Sequence, residues 1–304
     1  MFRKVLVGVD GQLGGRDAVA LAGQLSASDG QLVLAHVYPL RGDPHHRDYD
    51  DRQAADYVRA RDLLTAAREE AGVRAELRFT PCESPGRGLH ELAESLGSDL
   101  LVVGSCARGF LGRVMIGNDT RDALDGAPCA VAIAPAGYAD AAGPITRIGV
   151  GYDGSPDSER AIEVARTLAG ELDASLAALE VVSFPAYALS GPGAGDKTST
   201  EQLISDARER VAALGHVEPH GAYGRAADEL ARWGETVDLL VVGSRGYGPV
   251  GRLVHGSTSR ALADAARRPL LVLTRSTPVA TPQSTDRDGR ALVATGSIAN
   301  SARR

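Results

Sequence analysis

The chain has 304 residues, 43% hydrophobic and 24% charged, with a formal net charge of −6. That length suits about two domains of roughly 150 residues each, and the acidic balance argues against non-specific binding to nucleic acid or an anionic membrane. No apolar run reaches the ~18 residues of a membrane span; the short run in MFRKVLVGVDG ends at Asp10 and does not read as a signal peptide; and three unclustered cysteines, Cys82, Cys106 and Cys129, fit no zinc pattern and suit a reducing cytoplasm.

In chain order, Lys4 to Asp10 reads as a buried strand and Gly14 to Ser26 as a helix with Ala18, Leu21 and Leu25 on one face. Gln31 to Tyr38 is a strand and Asp51 to Glu70 a helix. Strand Arg74 to Phe79, helix Gly88 to Leu96 and strand Leu100 to Gly104 follow. A helix from Asn118 to Asp125 and a strand from Cys129 to Ala134 close the unit. The chain then repeats itself. DLLVVGS occurs at Asp99 to Ser105 and again at Asp238 to Ser244, and VLVGVDG (Val5 to Gly11) resembles IGVGYDG (Ile148 to Gly154). The expected organisation is one unit at 1–135, an Ala/Gly/Pro-rich linker at 136–146, a second unit at 147–275 and a disordered polar tail at 276–304. Short apolar runs alternating with helical periods predict an α/β fold: two tandem Rossmann-like domains, each a parallel sheet covered on both faces.

The densest signal is VVGSRGYGPVGRLVHGSTS, Val241 to Ser259, where glycines crowd between a strand and a helix that begins with three hydroxyls. In doubly wound sheets, ligands sit beyond the carboxyl ends of the strands where strand order reverses. Asp153-Gly154-Ser155, Val181-Val182 and Gly243 to Ser259 are predicted to meet there. Gly246 and Gly256 can adopt positive φ and leave no Cβ between main chain and ligand. Ser257, Thr258 and Ser259 stand at a helix start, whose free amides favour an anion. Arg245 adds a charged donor. Asp153 is a poor phosphate neighbour and is expected to face a base or ribose. Neither a GxxxxGK[ST] P-loop nor a GxGxxG after the first strand is present.

The array Gly243-x2-Gly246-x9-Gly256-Ser257 resembles the G-2x-G-9x-G-(S/T) nucleotide motif of the universal stress protein family, and the early DGS and the closing RRPLLVLTR fit it too. Over roughly Phe2 to Arg275 the chain looks like a tandem universal stress protein. The resemblance implies five parallel strands per unit of the adenine nucleotide alpha hydrolase-like type, and ATP as cofactor, with or without Mg, with no established reaction. It implies a stress or growth regulator acting through a protein partner, without nucleic acid or membrane. By analogy Asp153 and Val181 hold the adenosine end, Gly243, Arg245 and Gly246 line ribose and phosphates, and Gly256, Ser257, Thr258 and Ser259 grip the phosphates. It also implies pairing through the last strands, internally or in a homodimer. The first copy departs from the motif. Asp10, Val37, Gly104 and Gly117 remain, but Gln12 stands for the early serine, Cys106 for the arginine, Ala107 for the second glycine and Asn118 for the serine. A weaker or empty first site is expected.

Other features compete for chemistry. Asp43, His45, His46, Asp48 and Asp50 read as a solvated insertion rather than a metal site, and Pro219 argues against the helix that a zinc pair at His216 and His220 would need. His255 beside Gly256 reads either as a phosphate neighbour or as packing. Trp233 reads as core or interface. Three functions remain: an ATP-binding regulator, a slow ATPase, and an interaction module that has lost ATP.

Overall fold

The computed structural model describes residues 1–40, 49–105, 123–183, 197–244, 257–265 and 267–274. The first half runs β1 (Phe2–Gly8), α1 (Leu13–Leu25), β2 (Ser26–Pro39), α2 (Tyr49–Ala71), β3 (Glu76–Cys82), α3 (Pro85–Leu96), β4 (Leu100–Gly104) and β5 (Ala130–Ala134). A four-residue helix, α4 (Tyr138–Ala141), leads to the second half: β6 (Arg147–Tyr152), α5 (Pro156–Leu172), β7 (Ser175–Val182), α6 (Lys197–Ala212), β8 (Glu218–Tyr223), α7 (Ala226–Gly234), β9 (Leu239–Gly243), α8 (Ser257–Ala265) and β10 (Leu270–Leu273). The strands form one ten-stranded sheet in the order β3-β2-β1-β4-β5-β10-β9-β6-β7-β8. All neighbours run parallel within each half, and the halves join where β5 and β10 pair antiparallel, with Ala132 opposite Leu271. The apolar last strands, sticky if left as edges, thus cover each other.

Successive side chains of a strand point to opposite faces, and here both faces are buried. Val5, Val7, Leu100 and Val102 enter one core with α1 and α5; Leu6, Leu101 and Val103 enter the other with α3, α7 and α8. This explains why β1 and β4 read as continuous apolar runs rather than alternating ones. The glycines inside β6 have a packing reason. A Cβ on Gly149 would lie 2.8 Å from the Trp233 ring, so the indole on α7 occupies the space that a side chain on β6 would fill.

Element boundaries differ from expectation where local hydrogen bonding overrides pattern. α3 starts at Pro85, earlier than Gly88, because Ser84 caps it by accepting the amide of Arg87 and Pro85 sits at its first turn. β2 begins five residues early: Ser26 pairs with Phe2, a register shift follows, and Gln31 pairs with Lys4. β3 reaches Cys82 by pairing with Pro39. The linker is partly helical, which its composition does not suggest. Buried Asp17 on α1, 3% exposed, accepts the amides of Gly137 (2.9 Å) and Ala139 (2.8 Å), while Gln24 donates to the Tyr138 hydroxyl. The predicted helix at Asn118 to Asp125 lies outside the described residues up to 122; residues 123 and 124 are helical. The tail at 276–304 also lies outside them. No helix among the described residues is long and apolar enough to cross a membrane.

Cys129, just before β5, is buried. Burial first, and then the Asp99 charge, push its thiol up to about 12. Because the thiolate is the nucleophile, Cys129 should resist alkylation in the native protein at pH 8 and react once guanidinium is added. Mass spectrometry of the cysteine peptides checks this; native labelling at the unfolded rate would contradict the burial.

Candidate functional site

In the second half the chain lays down β6, β7 and β8 outward, then crosses back to place β9 on the other side of β6. The crevice that such a reversal opens lies at the carboxyl ends of β6 and β9. Tyr152, Asp153, Ser155, Val181, Gly243, Thr258 and Ser259 line one cleft there. The first half repeats the reversal at β1 and β4, with Asp10, His36, Val37, Leu89, Val103 and Gly104 around an equivalent cleft. Two sets of predicted residues are therefore brought together: Asp153, Val181, Gly243, Thr258 and Ser259, and separately Asp10, Val37 and Gly104. The main chain of Ser257 opens α8. Arg245, Gly246, Gly256, Gly117 and Asn118 lie outside the described residues, as do His255, Cys106, Ala107 and the residues 43–48 of the insertion.

The turn after β6 is built by its own hydrogen bonds. Gly154 has φ +73°, and Asp153 Oδ1 accepts from the hydroxyl and, at 3.1 Å, the amide of Ser155. Ser155 caps α5 by accepting the amide of Ser158 at 3.3 Å, with Pro156 following. The buried Ser158 hydroxyl donates to the Ser155 carbonyl (2.8 Å) and accepts from the Asp153 amide (3.3 Å). The carboxylate is thus fixed by the residues that start the helix. In the first copy Asp10 accepts the Gln12 amide at 2.9 Å, and α1 has no side-chain cap. The serine-to-glutamine change removes the capping hydroxyl while the positive-φ glycine, Gly11 at +77°, is kept.

Gly243 has a second reason to be glycine. A Cβ there would stand 2.6 Å from the Asp157 carbonyl oxygen, so the first turn of α5 packs backbone to backbone on the end of β9. Gly104 makes the same approach to Gly14 in α1. These two motif glycines bring the helix start onto the cleft.

The profile of the universal stress protein family matches residues 1–135 and 144–274. The chain belongs to the universal stress protein family. A universal stress protein of Mycobacterium tuberculosis is 29% identical over 293 residues, covering 90% of this chain and 97% of its own. The crystal structure of a universal stress protein from Archaeoglobus fulgidus covers 89% of this chain and 97% of its own, with a TM-score of 0.62 at 20% identity, and shows the shared fold. Another universal stress protein, solved in complex with cAMP, covers 44% of this chain and 98% of its own, at 26% identity and a TM-score of 0.33.

Within this universal stress protein, the rim of the second cleft is acidic. Burial first, then the charges of Glu159, Glu180 and Asp153, push the Tyr152 hydroxyl above the ordinary tyrosine range against the opposing Arg210. Glu180 is itself held by the Arg210 guanidinium through Nε and Nη2, at 2.7–3.1 Å. Tyr152 and Ser158 were not legible as site residues, although Ser155 followed by Pro156 is a helix-start signal. His36 was also missed. Its Nδ1 lies 2.6 Å from the Val9 carbonyl, so that nitrogen carries the proton. His216 and His220 do not form a helical pair: His216 has φ +52° and His220, in β8, contacts Glu218 at 2.9 Å. Among the described residues no group of three or more His, Cys, Asp or Glu is disposed to hold a metal.

Proposed function

We propose that the protein is an ATP-binding regulator of stress response or growth, with the nucleotide held mainly by the second half and binding, rather than turnover, as its role. The observation that carries this reading is the convergence of Asp153, Val181, Gly243, Thr258 and Ser259 on one cleft at the β6/β9 reversal. The residues fit an adenine nucleotide. Asp153 and the acidic rim repel phosphate and suit ribose or base, whereas the start of α8, with Thr258 and Ser259, offers amides and hydroxyls suited to phosphate oxygens. Gly246, Gly256, Ser257 and Arg245 extend that grip in the reading from sequence. Each hydrogen bond to a charged oxygen contributes about 1.5–3 kcal/mol, so two or three supply much of the roughly 8 kcal/mol of micromolar binding. Any Mg²⁺ is proposed to arrive on the phosphates. The first half, with an uncapped α1 and a departed motif, is the weaker site.

The test is direct. Nucleotide released from the denatured, purified protein is identified by chromatography: ATP supports the regulator, ADP with sustained turnover an ATPase, and no nucleotide with no binding an interaction module. Titration calorimetry should give one tight ATP site per chain; two equal tight sites would contradict the asymmetry. Gly256→Val should weaken ATP binding about 100-fold or more, the loss of one or two charge-assisted hydrogen bonds, with unchanged far-ultraviolet circular dichroism. Unaltered affinity in that variant moves the site elsewhere.

A further inference from the structure

A second kind of cavity lies at the seam between the halves, away from both clefts. It measures about 250 Å³, and Tyr138, Gly143, Asp238, Arg267 and Arg268 are among its walls. It exists because β5 and β10 run antiparallel: the residues before β10 are carried beside the linker that leaves β5. Since β10 and β9 are parallel, Arg267 and Arg268 stand at the amino ends of these strands, opposite the second cleft at their carboxyl ends.

Its chemistry is cationic with one spare donor. The Arg267 guanidinium reaches only Glu235 among the described residues, at a long 3.8 Å. Arg268 has no hydrogen bond or close ion pair among the described residues; its charge acts on Asp238. One oxygen of the Asp238 carboxylate is engaged: Oδ2 accepts the amide and hydroxyl of Thr146 and the amide of Arg147, each at 2.9 Å. Tyr138 accepts from Gln24 Nε2 at 2.9 Å, and among the described residues its own proton has no acceptor. Burial, then the Asp238 charge, push this phenol above its ordinary range, which keeps the proton in place. The Gly137 and Ala139 amides are already taken by Asp17 and contribute nothing.

We propose that this seam cavity binds a phosphate dianion, free or as a small monoester, held by the Arg267 and Arg268 guanidiniums with the Tyr138 hydroxyl as third donor. Guanidinium forks match phosphate oxygens two at a time; of the two carboxylates beside them, Asp238 is already hydrogen-bonded and Glu235 meets Arg267 only at 3.8 Å. The bound anion bridges the linker of the first half to the start of β10, so it stabilises the folded chain by mass action.

Thermal unfolding of the full chain at constant ionic strength tests this. The Tm should rise with the logarithm of inorganic phosphate concentration and stay flat when chloride replaces it. Glycerol phosphate is the second arm: a rise with both ions identifies the monoester class, a rise with inorganic phosphate alone the free ion. The double variant Arg267→Ala/Arg268→Ala should lose the rise while keeping wild-type ATP affinity, and Tyr138→Phe should raise the phosphate concentration needed about 10-fold. A wild-type Tm indifferent to phosphate, or a rise that survives in the Arg267→Ala/Arg268→Ala variant, overturns the proposal.

Discussion

Gly243→Ala should lower the Tm of the nucleotide-free protein by roughly 5 °C, the effect of about 3 kcal/mol of overpacking in a chain of this size. The new Cβ would stand 2.6 Å from the Asp157 carbonyl oxygen and 2.7 Å from its carbon. Both are main-chain atoms of the first turn of α5, which Ser155 caps and which Ala161, Ile162 and Leu168 anchor in the core. Neither can swing aside as a side-chain tip would; the whole helix start has to lift from β9. Gly154→Ala is the control. Gly154 has φ +73°, yet no atom of the described residues stands within 4 Å of where its Cβ would be, so it carries only the left-handed backbone penalty of about 1–2 kcal/mol. If calorimetry finds the two variants equally stable, or Gly243→Ala as stable as wild type, the close approach is not what fixes this glycine. A residue that only lined a ligand would change affinity and leave the ligand-free Tm alone.

The contrast shows what a sequence makes legible. Repetition revealed the duplicated unit, and unbroken apolar runs such as LLVVG revealed parallel strands buried on both faces. Asp153, Val181, Gly243, Thr258 and Ser259 could be gathered in advance because strand ends in this architecture meet at a known place. Reasons that lie far along the chain were hidden. Gly243 looked like a ligand glycine because its packing partner, Asp157, precedes it by 86 positions, two intervening strands away. Gly149 carried no signal of its own, and it makes room for Trp233. The linker read only as an Ala/Gly/Pro-rich connection because the carboxylate that organises it, Asp17, sits some 120 residues earlier. Periodicity reports which face of an element is apolar; it carries nothing about which distant group meets it.

The aspartate of the repeated DLLVVGS carries the second large effect. Asp238 precedes β9, and its Oδ2 collects three donors from Thr146 and Arg147 at the start of β6, each at 2.9 Å, while its own amide donates to the Arg147 carbonyl at 2.8 Å. Asp99 repeats the device on Arg3 and Lys4, at 2.8 and 3.0 Å. Each aspartate therefore ties the first strand of its unit to the fourth. Asp238→Ala strips three donors of their acceptor and should cost about 2 kcal/mol at pH 7. The pH dependence separates charge from shape. Burial raises the Asp238 carboxyl, but the Thr146 and Arg147 donors and the Arg268 charge outweigh it, so the group sits below the ordinary aspartate value of 3.8 in the folded protein. A depressed folded value means that the unfolded chain takes up the proton first; the stabilisation is complete above 3.8 and drains away as pH falls through the folded value. The Tm gap between wild type and Asp238→Ala should accordingly be widest near neutrality and narrow below pH 3.8. A gap of the same width from pH 7 to pH 3 would assign the tie to the side chain's shape and not to its ionised oxygens.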